Sequence, residues 1–462
     1  MKQFDAIIVG AGQAGPPLAG RLTAAGMTVA LIERKLVGGT CVNTGCTPTK
    51  TMIASARAAY VARRAAAYGV VVEGPVSVDM ARVKARADAV VASSRDSVQA
   101  WLRAMDRCTL FEGHARLESE RSVRVGDQLL GAPRIFLNVG GRARVPRMPG
   151  IDEVECLTNT SMVALATLPR HLIVVGGSYV GLEFAQMFRR FGSEVTVVEK
   201  SPRLIPREDD DISEAVKGIL EGEGITVRCA AECISFSKAE RGVAVGLDCQ
   251  TGDSSATGSH VLLAVGRQPN TEDLGLERAG VRTDARGNIV VDDQLRTNVE
   301  TIWALGDCNG RGAFTHTAYN DFEIVAANLL DDDPRRVSDR IEAYALYIDP
   351  PLGRVGLTER DARKTGRRLL LGSRPMSRVG RAVEKGETQG FMKILVDPET
   401  QKIVGAAILG TDADEAIHGL LDQMTSGAPA STLRRSVPIH PTVSELIPTV
   451  LGELEELQRG AG

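Results

Sequence analysis

A chain of 462 residues is too long for one comfortable hydrophobic core, so two to four domains are expected. Hydrophobic residues make up 43% and charged residues 24%, ordinary for a water-soluble globular protein, and the net charge of -3 supplies no general attraction to nucleic acid or acidic lipid. Forty-eight glycines suit tight turns and close backbone–ligand approach, whereas 4% aromatics suit base-stacking surfaces badly.

The start, Met1-Lys2-Gln3-Phe4-Asp5, runs straight into the apolar stretch Ala6-Ile7-Ile8-Val9 with no secretory-type leader, and no apolar run of roughly 18 residues follows. A cytoplasmic protein with no membrane partner is expected. Residues 5–9 read as a buried parallel strand, followed by Gly10-Ala11-Gly12-Gln13-Ala14-Gly15, a helix through Ala25, and a second strand, Val29-Ala30-Leu31-Ile32, ending at Glu33. The glycines serve a tight turn, close approach to a pyrophosphate and tight helix–strand packing, and Glu33 is placed to accept from ribose hydroxyls.

Next comes Gly38-Gly39-Thr40-Cys41-Val42-Asn43-Thr44-Gly45-Cys46-Thr47-Pro48-Thr49-Lys50. Pro48 marks the first turn of a helix, so Cys46 sits at a helix N-terminus, where the dipole favours a thiolate. The gap to Cys41 is one that a tight loop can close into a disulfide. Helices are expected around residues 77–105, and Val145-Pro146-Arg147-Met148-Pro149-Gly150 reads as a linker.

The strand–turn–helix–strand pattern returns at residue 171. His171-Leu172-Ile173-Val174-Val175 is the strand, and Gly176-Gly177-Ser178-Tyr179-Val180-Gly181 is the turn, with Ser178 in place of the middle glycine. A helix from Leu182 to about Phe191 and the strand Glu194–Val198 follow, ending at Glu199. Two such units imply two dinucleotides, a bound flavin and a nicotinamide substrate. A carboxylate at Glu199 pairs with ribose hydroxyls and repels a 2′-phosphate, so NADH is expected over NADPH, with Lys200, Arg203 and Arg207 read as a solvated basic loop. Asp209, Asp210 and Asp211 read as capping or solvating a helix start, with no metal site. Six cysteines outside the redox segment, Cys108, Cys156, Cys229, Cys233, Cys249 and Cys308, read as structural or incidental, since a reducing cytosol argues against a disulfide framework. Cys229 and Cys233 fall in a strand continuing into more strand, with no second cluster to complete a zinc site.

The segment from Gly38 to Lys50 resembles the redox motif of the pyridine nucleotide–disulfide oxidoreductases, and the likeness covers essentially the whole chain. Leu305-Gly306-Asp307 resembles the second FAD motif, Leu263–Asn270, which contains Gly266, resembles the return to the FAD domain, and His440-Pro441-Thr442-Val443-Ser444-Glu445 resembles the acid/base segment. The resemblance implies an α/β fold of two Rossmann-like domains plus a C-terminal α+β dimerisation domain. The expected boundaries are 1–150 and 266–336 for FAD, 151–265 for NAD(P) and 337–462 for the interface. It implies FAD held by Gly10, Gly12, Gly15, Glu33, Thr40, Lys50, Ala115, Asp307 and Thr315, and a nicotinamide dinucleotide on Gly176, Ser178, Gly181, Glu199 and Gly266. Tyr179 matches an aromatic gate over the nicotinamide, and Lys50 and Glu183 match the ion pair beside the flavin. Cys46 is then the flavin-side thiol and Cys41 the substrate-side thiol. His440, oriented by Glu445, reaches the disulfide of the partner subunit of a homodimer.

For the acceptor, Ala313–Asp321 and Ile348–Gly356 look closer to the mercuric-reductase-like branch, with a small disulfide or a thiophilic metal ion as acceptor. The ending Leu457-Gln458-Arg459-Gly460-Ala461-Gly462 carries no vicinal cysteine pair, which puts efficient mercury reduction in doubt. A dihydrolipoamide dehydrogenase is the alternative, and a non-enzymatic redox sensor a remote one.

Overall fold

The computed structural model describes residues 1–240, 242–247 and 255–457. The apolar strand Ala6–Val9 is wholly buried, and it sits at the centre of a five-stranded parallel sheet. On one side lie Val29–Glu33 and Cys108–Glu112; on the other lie Ile135–Leu137 and, from far along the chain, Ile302–Ala304. Helix α1 (Gly15–Ala24) buries Leu18, Ala19 and Leu22 against this sheet. A short helix α2 (Gly39–Thr44) and the longer α3 (Cys46–Arg63) carry the two cysteines, and α4 (Met80–Arg103) packs behind them. Where several helices were expected over 77–105 there is one, begun by Asp79, whose side chain accepts from Arg82 N.

The second sheet repeats the plan. His171–Val175 is its central strand, flanked by Glu194–Val198 and Thr226–Arg228 on one side and His260–Leu263 and Cys156–Leu157 on the other, all parallel. Helix α5 runs over Tyr179–Phe191, three residues earlier than expected, and α6 over Asp210–Gly222. The repetition extends to the turns. A Cβ at Gly15 would stand 2.2 Å from Gly10 O, and one at Gly181 would stand 2.0 Å from Gly176 O, so in both units only glycine lets the helix meet the strand. The strand expected through Cys229–Ile234 ends at Arg228. Ala230 adopts a positive φ of 56°, which breaks the extended backbone, and its N–H and that of Ala231 turn back to Ser201 O and Glu199 O.

Helix α7 (Thr315–Ala326) returns along α1. The C-terminal part is a six-stranded sheet ordered Ala343–Leu346, Leu352–Gly356, Ile403–Leu409, Phe391–Val396, Leu370–Pro375, Glu455–Glu456, antiparallel throughout, with α8 (Ala413–Ser426) packed on it. One apolar cluster joins the parts: Met52 and Ala56 of α3, Leu182 and Phe188 of α5, and Leu346 and Leu352 of the C-terminal sheet pack together behind the cysteines. No helix among the described residues is long and apolar enough to cross a membrane.

Two expectations about side chains are corrected. Asp209 is buried rather than solvated, and Lys393 Nζ lies 3.1 Å from Asp209, 2.8 Å from Asp211 and 2.7 Å from Glu359. The ammonium fills the space that a metal would need among these carboxylates. Burial would raise the Asp209 carboxyl, but Lys393 and Arg354 overcome it and hold it at about 2. Among the scattered cysteines, Cys108, Cys156, Cys229 and Cys308 are free, whereas Cys233 is disulfide-bonded. Such pairing depends on distances in the fold, which spacing along the chain does not report. Cys249 and the residues after Leu457 lie outside the described residues.

Candidate active site

The two glycine turns present similar surfaces. Neither α1 nor α5 has a side-chain N-cap or an acidic residue in its first turn, which leaves each helix start open to an anion. Glu33 holds itself at the strand end by accepting from Ala11 N at 2.9 Å and Lys35 N at 2.8 Å. Glu199 does the same with Gly177 N at 2.6 Å and Ser201 N at 2.7 Å. A carboxylate pinned beside a glycine turn and an uncapped helix offers an acceptor for hydroxyls and free N–H groups for an anion, and the arrangement occurs twice. Ser178 stands at the N-cap of α5 without capping it.

Around the first turn the chain is crowded by backbone. Asn138, at the end of the strand Ile135–Leu137, is buried and donates through Nδ2 to Gly10 O at 3.4 Å. Gly12 faces Gly39, where an added Cβ would come 2.9 Å from Gly12 Cα, so α2 begins directly over the turn. Thr40 is exposed on α2. Asp307 is paired with Arg267 at 3.1 Å, and its neighbour Gly306 donates to the buried Asp321 at 2.8 Å. Ala115 is buried in its strand among Phe111, Leu117 and Val123, so any ligand contact there is through backbone. Gly266 takes a φ of +108°, with open space where a Cβ would point.

Cys41 and Cys46 come together. Cys41 sits on α2, a helix rather than the expected loop; Asn43 Nδ2 ties it down by donating to Val37 O and Gly39 O, both at 2.9 Å. Cys46 is the first residue of α3, which also lacks a side-chain cap and an acid in its first turn. Both thiols are free, and each acts on the other's titration. Thr315 Oγ1, at the start of α7, lies 3.3 Å from Cys46 Sγ. The bond from Cys41 is the largest influence lowering the Cys46 thiol. With help from Thr315 and Lys50, and against burial and Glu183, it brings Cys46 from 9.0 to about 6. The same bond, with burial and the Cys46 charge, pushes Cys41 upward. The directions differ: the surroundings favour the thiolate at Cys46 and disfavour it at Cys41.

One turn along α3, Lys50 Nζ pairs with Glu183 Oε2 at 2.6 Å; Glu183 is buried and also accepts from Tyr347 N at 3.1 Å. The Tyr347 ring lies 4.7 Å from Lys50 Nζ. Tyr179, one turn before Glu183 on the same face of α5, connects the second glycine turn to this pair. His440 is hydrogen-bonded through Nδ1 to Glu445 Oε2 at 2.9 Å, but the structure does not bring its ring into hydrogen-bonding contact with either sulfur of its own chain. It is 79% exposed, in a segment where Val437 is 95% and Ile439 79% exposed. Tyr347, Asn138, Glu208 and Tyr344 were not singled out from sequence. The stretch Ile348–Gly356, read from sequence for its likeness to the mercuric-reductase-like branch, begins next to Tyr347.

The family described as "Pyridine nucleotide-disulphide oxidoreductase" matches residues 4–321, and its dimerisation domain matches residues 343–451. RclA of Escherichia coli K12, a probable pyridine nucleotide-disulfide oxidoreductase, is 35% identical over 453 residues, covering 96% of this chain and 98% of that one. A dihydrolipoyl dehydrogenase of Thermus scotoductus is 32% identical, covering 96% of each chain. A mercuric reductase of Streptomyces lividans is 31% identical, covering 96% of this chain and 94% of that one. Among solved structures, the Cu(II) complex of the HOCl-induced flavoprotein disulfide reductase RclA from Escherichia coli superposes with a TM-score of 0.89 at 34% identity, covering 98% of this chain and 99% of that one.

Proposed function

The chain belongs to the pyridine nucleotide–disulfide oxidoreductase family, and from that premise we propose that it is an NADH-dependent reductase of a small disulfide or a thiophilic metal ion, working through Cys41 and Cys46 in a homodimer. The observation that carries this reading is the placement of two free thiols on adjoining helices, Cys41 on α2 and Cys46 first in the uncapped α3, with Thr315 Oγ1 3.3 Å from Cys46 Sγ and the Lys50–Glu183 pair one turn along. FAD would be held by Gly10, Gly12, Gly15, Glu33, Asp307 and the start of α2, and when bound it supplies the relay that carries an electron pair from the nicotinamide to sulfur. The nicotinamide dinucleotide would lie on Gly176–Gly181 with Glu199 at its ribose and Tyr179 over its ring.

The steps at sulfur follow from the residues. In the reduced pair, Cys41 gives its proton to the partner's His440 and attacks one sulfur of a disulfide acceptor. The displaced thiolate takes that proton, and Cys46 attacks Cys41 to restore the Cys41–Cys46 bond as the second thiolate leaves. Glu445 fixes the imidazole and stabilises its charged form. The high exposure of His440, Ile439 and Val437 in the single chain supports their covering by a second subunit. NADH is favoured because both oxygens of Glu199 are fixed at the ribose position, and Arg203 is already engaged with Asp210. A metal ion would be bound and reduced at the same two sulfurs, and the Cu(II) complex of RclA supports copper as a candidate.

A dihydrolipoyl dehydrogenase is the second reading, favoured by the end-to-end match to such enzymes. One assay separates the readings: steady-state NADH and NADPH oxidation by FAD-loaded protein with lipoamide, oxidised glutathione, Hg(II) or Cu(II). Lipoamide turnover far above the others supports the dehydrogenase. Turnover of another disulfide or a metal ion supports the proposal, and no turnover of any acceptor refutes both.

A further inference from the structure

Glu208 is fully buried and has no part in the electron path above. Its Oε1 accepts hydrogen bonds from two tyrosines, Tyr179 and Tyr344, each at 2.7 Å. Its Oε2 accepts from Arg354 Nε at 3.0 Å and Arg354 Nη2 at 2.7 Å, and Arg354 is 1% exposed. One oxygen is thus clamped by a fixed cation while the other is shared by two hydroxyls. The participants come from separate parts of the fold: Tyr179 opens α5, Glu208 precedes α6, and Tyr344 and Arg354 lie on adjacent strands of the C-terminal sheet. The tyrosine rings meet edge to face, with centroids 5.6 Å apart. Phe314 stacks on Tyr344 at 5.5 Å and is followed by Thr315, which touches Cys46.

We propose that Glu208 is a positioning residue that latches Tyr179 closed and so sets the affinity for the nicotinamide dinucleotide, with Tyr344 as a competing donor that loosens the latch. The inference rests on the reading of Tyr179 as the cover of the nicotinamide. The ring cannot swing aside without breaking its bond to Glu208, and whatever opening costs is subtracted from dinucleotide binding. The carboxylate is not left bare when Tyr179 leaves, because Tyr344 stays on the same oxygen and Arg354 on the other. Removing the Tyr344 hydroxyl makes Tyr179 the only tyrosine on Oε1 and strengthens its bond. The two hydroxyls therefore act with opposite signs, which a role in packing alone would not produce.

The test uses the FAD-loaded full chain and measures the dissociation constant of NAD⁺ by calorimetry, with kcat and KM for NADH alongside. Tyr179→Phe, which keeps the ring, should bind NAD⁺ about tenfold more tightly, the factor that one charge-assisted hydrogen bond of about 1.4 kcal/mol converts to. Tyr344→Phe should bind about two- to threefold more weakly, as expected for a modestly strengthened latch. KM for NADH should follow the dissociation constants more closely than kcat does. The latch is overturned if Tyr179→Phe leaves binding unchanged or weakens it, or if both variants move the same way. Tyr179→Ala separates the two levels. If it too leaves NAD⁺ affinity and flavin reduction untouched, Tyr179 does not cover the nicotinamide and the reading beneath fails. If it alters them while Tyr179→Phe does not, the cover stands and the latch falls.

Discussion

On the proposed reading, replacing Cys41 opens Cys46 to direct titration, because Cys46 can then form no disulfide and would stay beside oxidised flavin without added reductant. The structure makes the Cys41 hydrogen bond the largest influence bringing Cys46 from 9.0 to about 6, with Thr315 and Lys50 next among the lowering ones. A thiol lowered in this direction is largely thiolate at about pH 7.5, whereas one at its ordinary 9.0 is largely protonated. Cys41→Ser keeps a hydroxyl in place of the thiol donor, and Cys41→Ala removes it. The assay is the long-wavelength thiolate-to-flavin charge-transfer band followed from pH 4 to 10. Because the folded pKa is depressed, the band should be full at high pH and fade as pH falls through it. The midpoint should lie below 9.0 in Cys41→Ser, higher in Cys41→Ala, and higher again when Thr315→Val or Lys50→Met is added. Equal midpoints for the serine and alanine variants would refute the ordering of causes, and loss of the band on raising pH would refute the assignment of the thiolate.

Three further outcomes are expected. Wild type should show higher kcat/KM with NADH than with NADPH, and Glu199→Ala or Glu199→Arg should narrow or reverse the gap in steady-state assays; a tenfold NADPH preference in wild type would give the choice to the basic loop. His440→Ala should leave flavin reduction by NADH intact in stopped flow while disulfide turnover falls by about 10²–10⁴-fold, and mixed dimers with Cys41→Ser chains should regain activity that neither parent has. Arg190 is 5% exposed and bridges Glu223 and Asp349; Arg190→Met leaves Asp349 with Arg57 and Glu223 with Gln186 alone, and should cost about 1–3 kcal/mol, read as a lowered unfolding midpoint.

Much of the fold is local in origin and was legible for that reason. Each glycine turn sits between a short apolar strand and a helix, and the acid ending the next strand bonds back to the turn, so Gly10 to Glu33 and Gly176 to Glu199 are each complete within one stretch of chain. Pro48 marked the helix that begins at Cys46 for the same local reason. What escaped is made by contacts across the chain. Asp209 looks like a helix cap until the C-terminal sheet brings Arg354 and Lys393 against it. Glu208 carries no local signal, because its partners Tyr344 and Arg354 come from the C-terminal sheet. Helix α2 carries β-branched and glycine residues of poor helix propensity, and bonds from Asn43 together with the turn beneath it hold the shape.

The central claim, that electrons from NADH pass into the Cys41–Cys46 pair, is tested most directly by anaerobic titration of the FAD-loaded protein, counting electron pairs taken up per flavin. Wild type should accept two pairs, one stored on sulfur and one on flavin, with the long-wavelength band present after the first. Cys46→Ser should accept a single pair and show no band. A wild type that accepts only one pair, or a Cys46→Ser variant that still accepts two, would contradict the account.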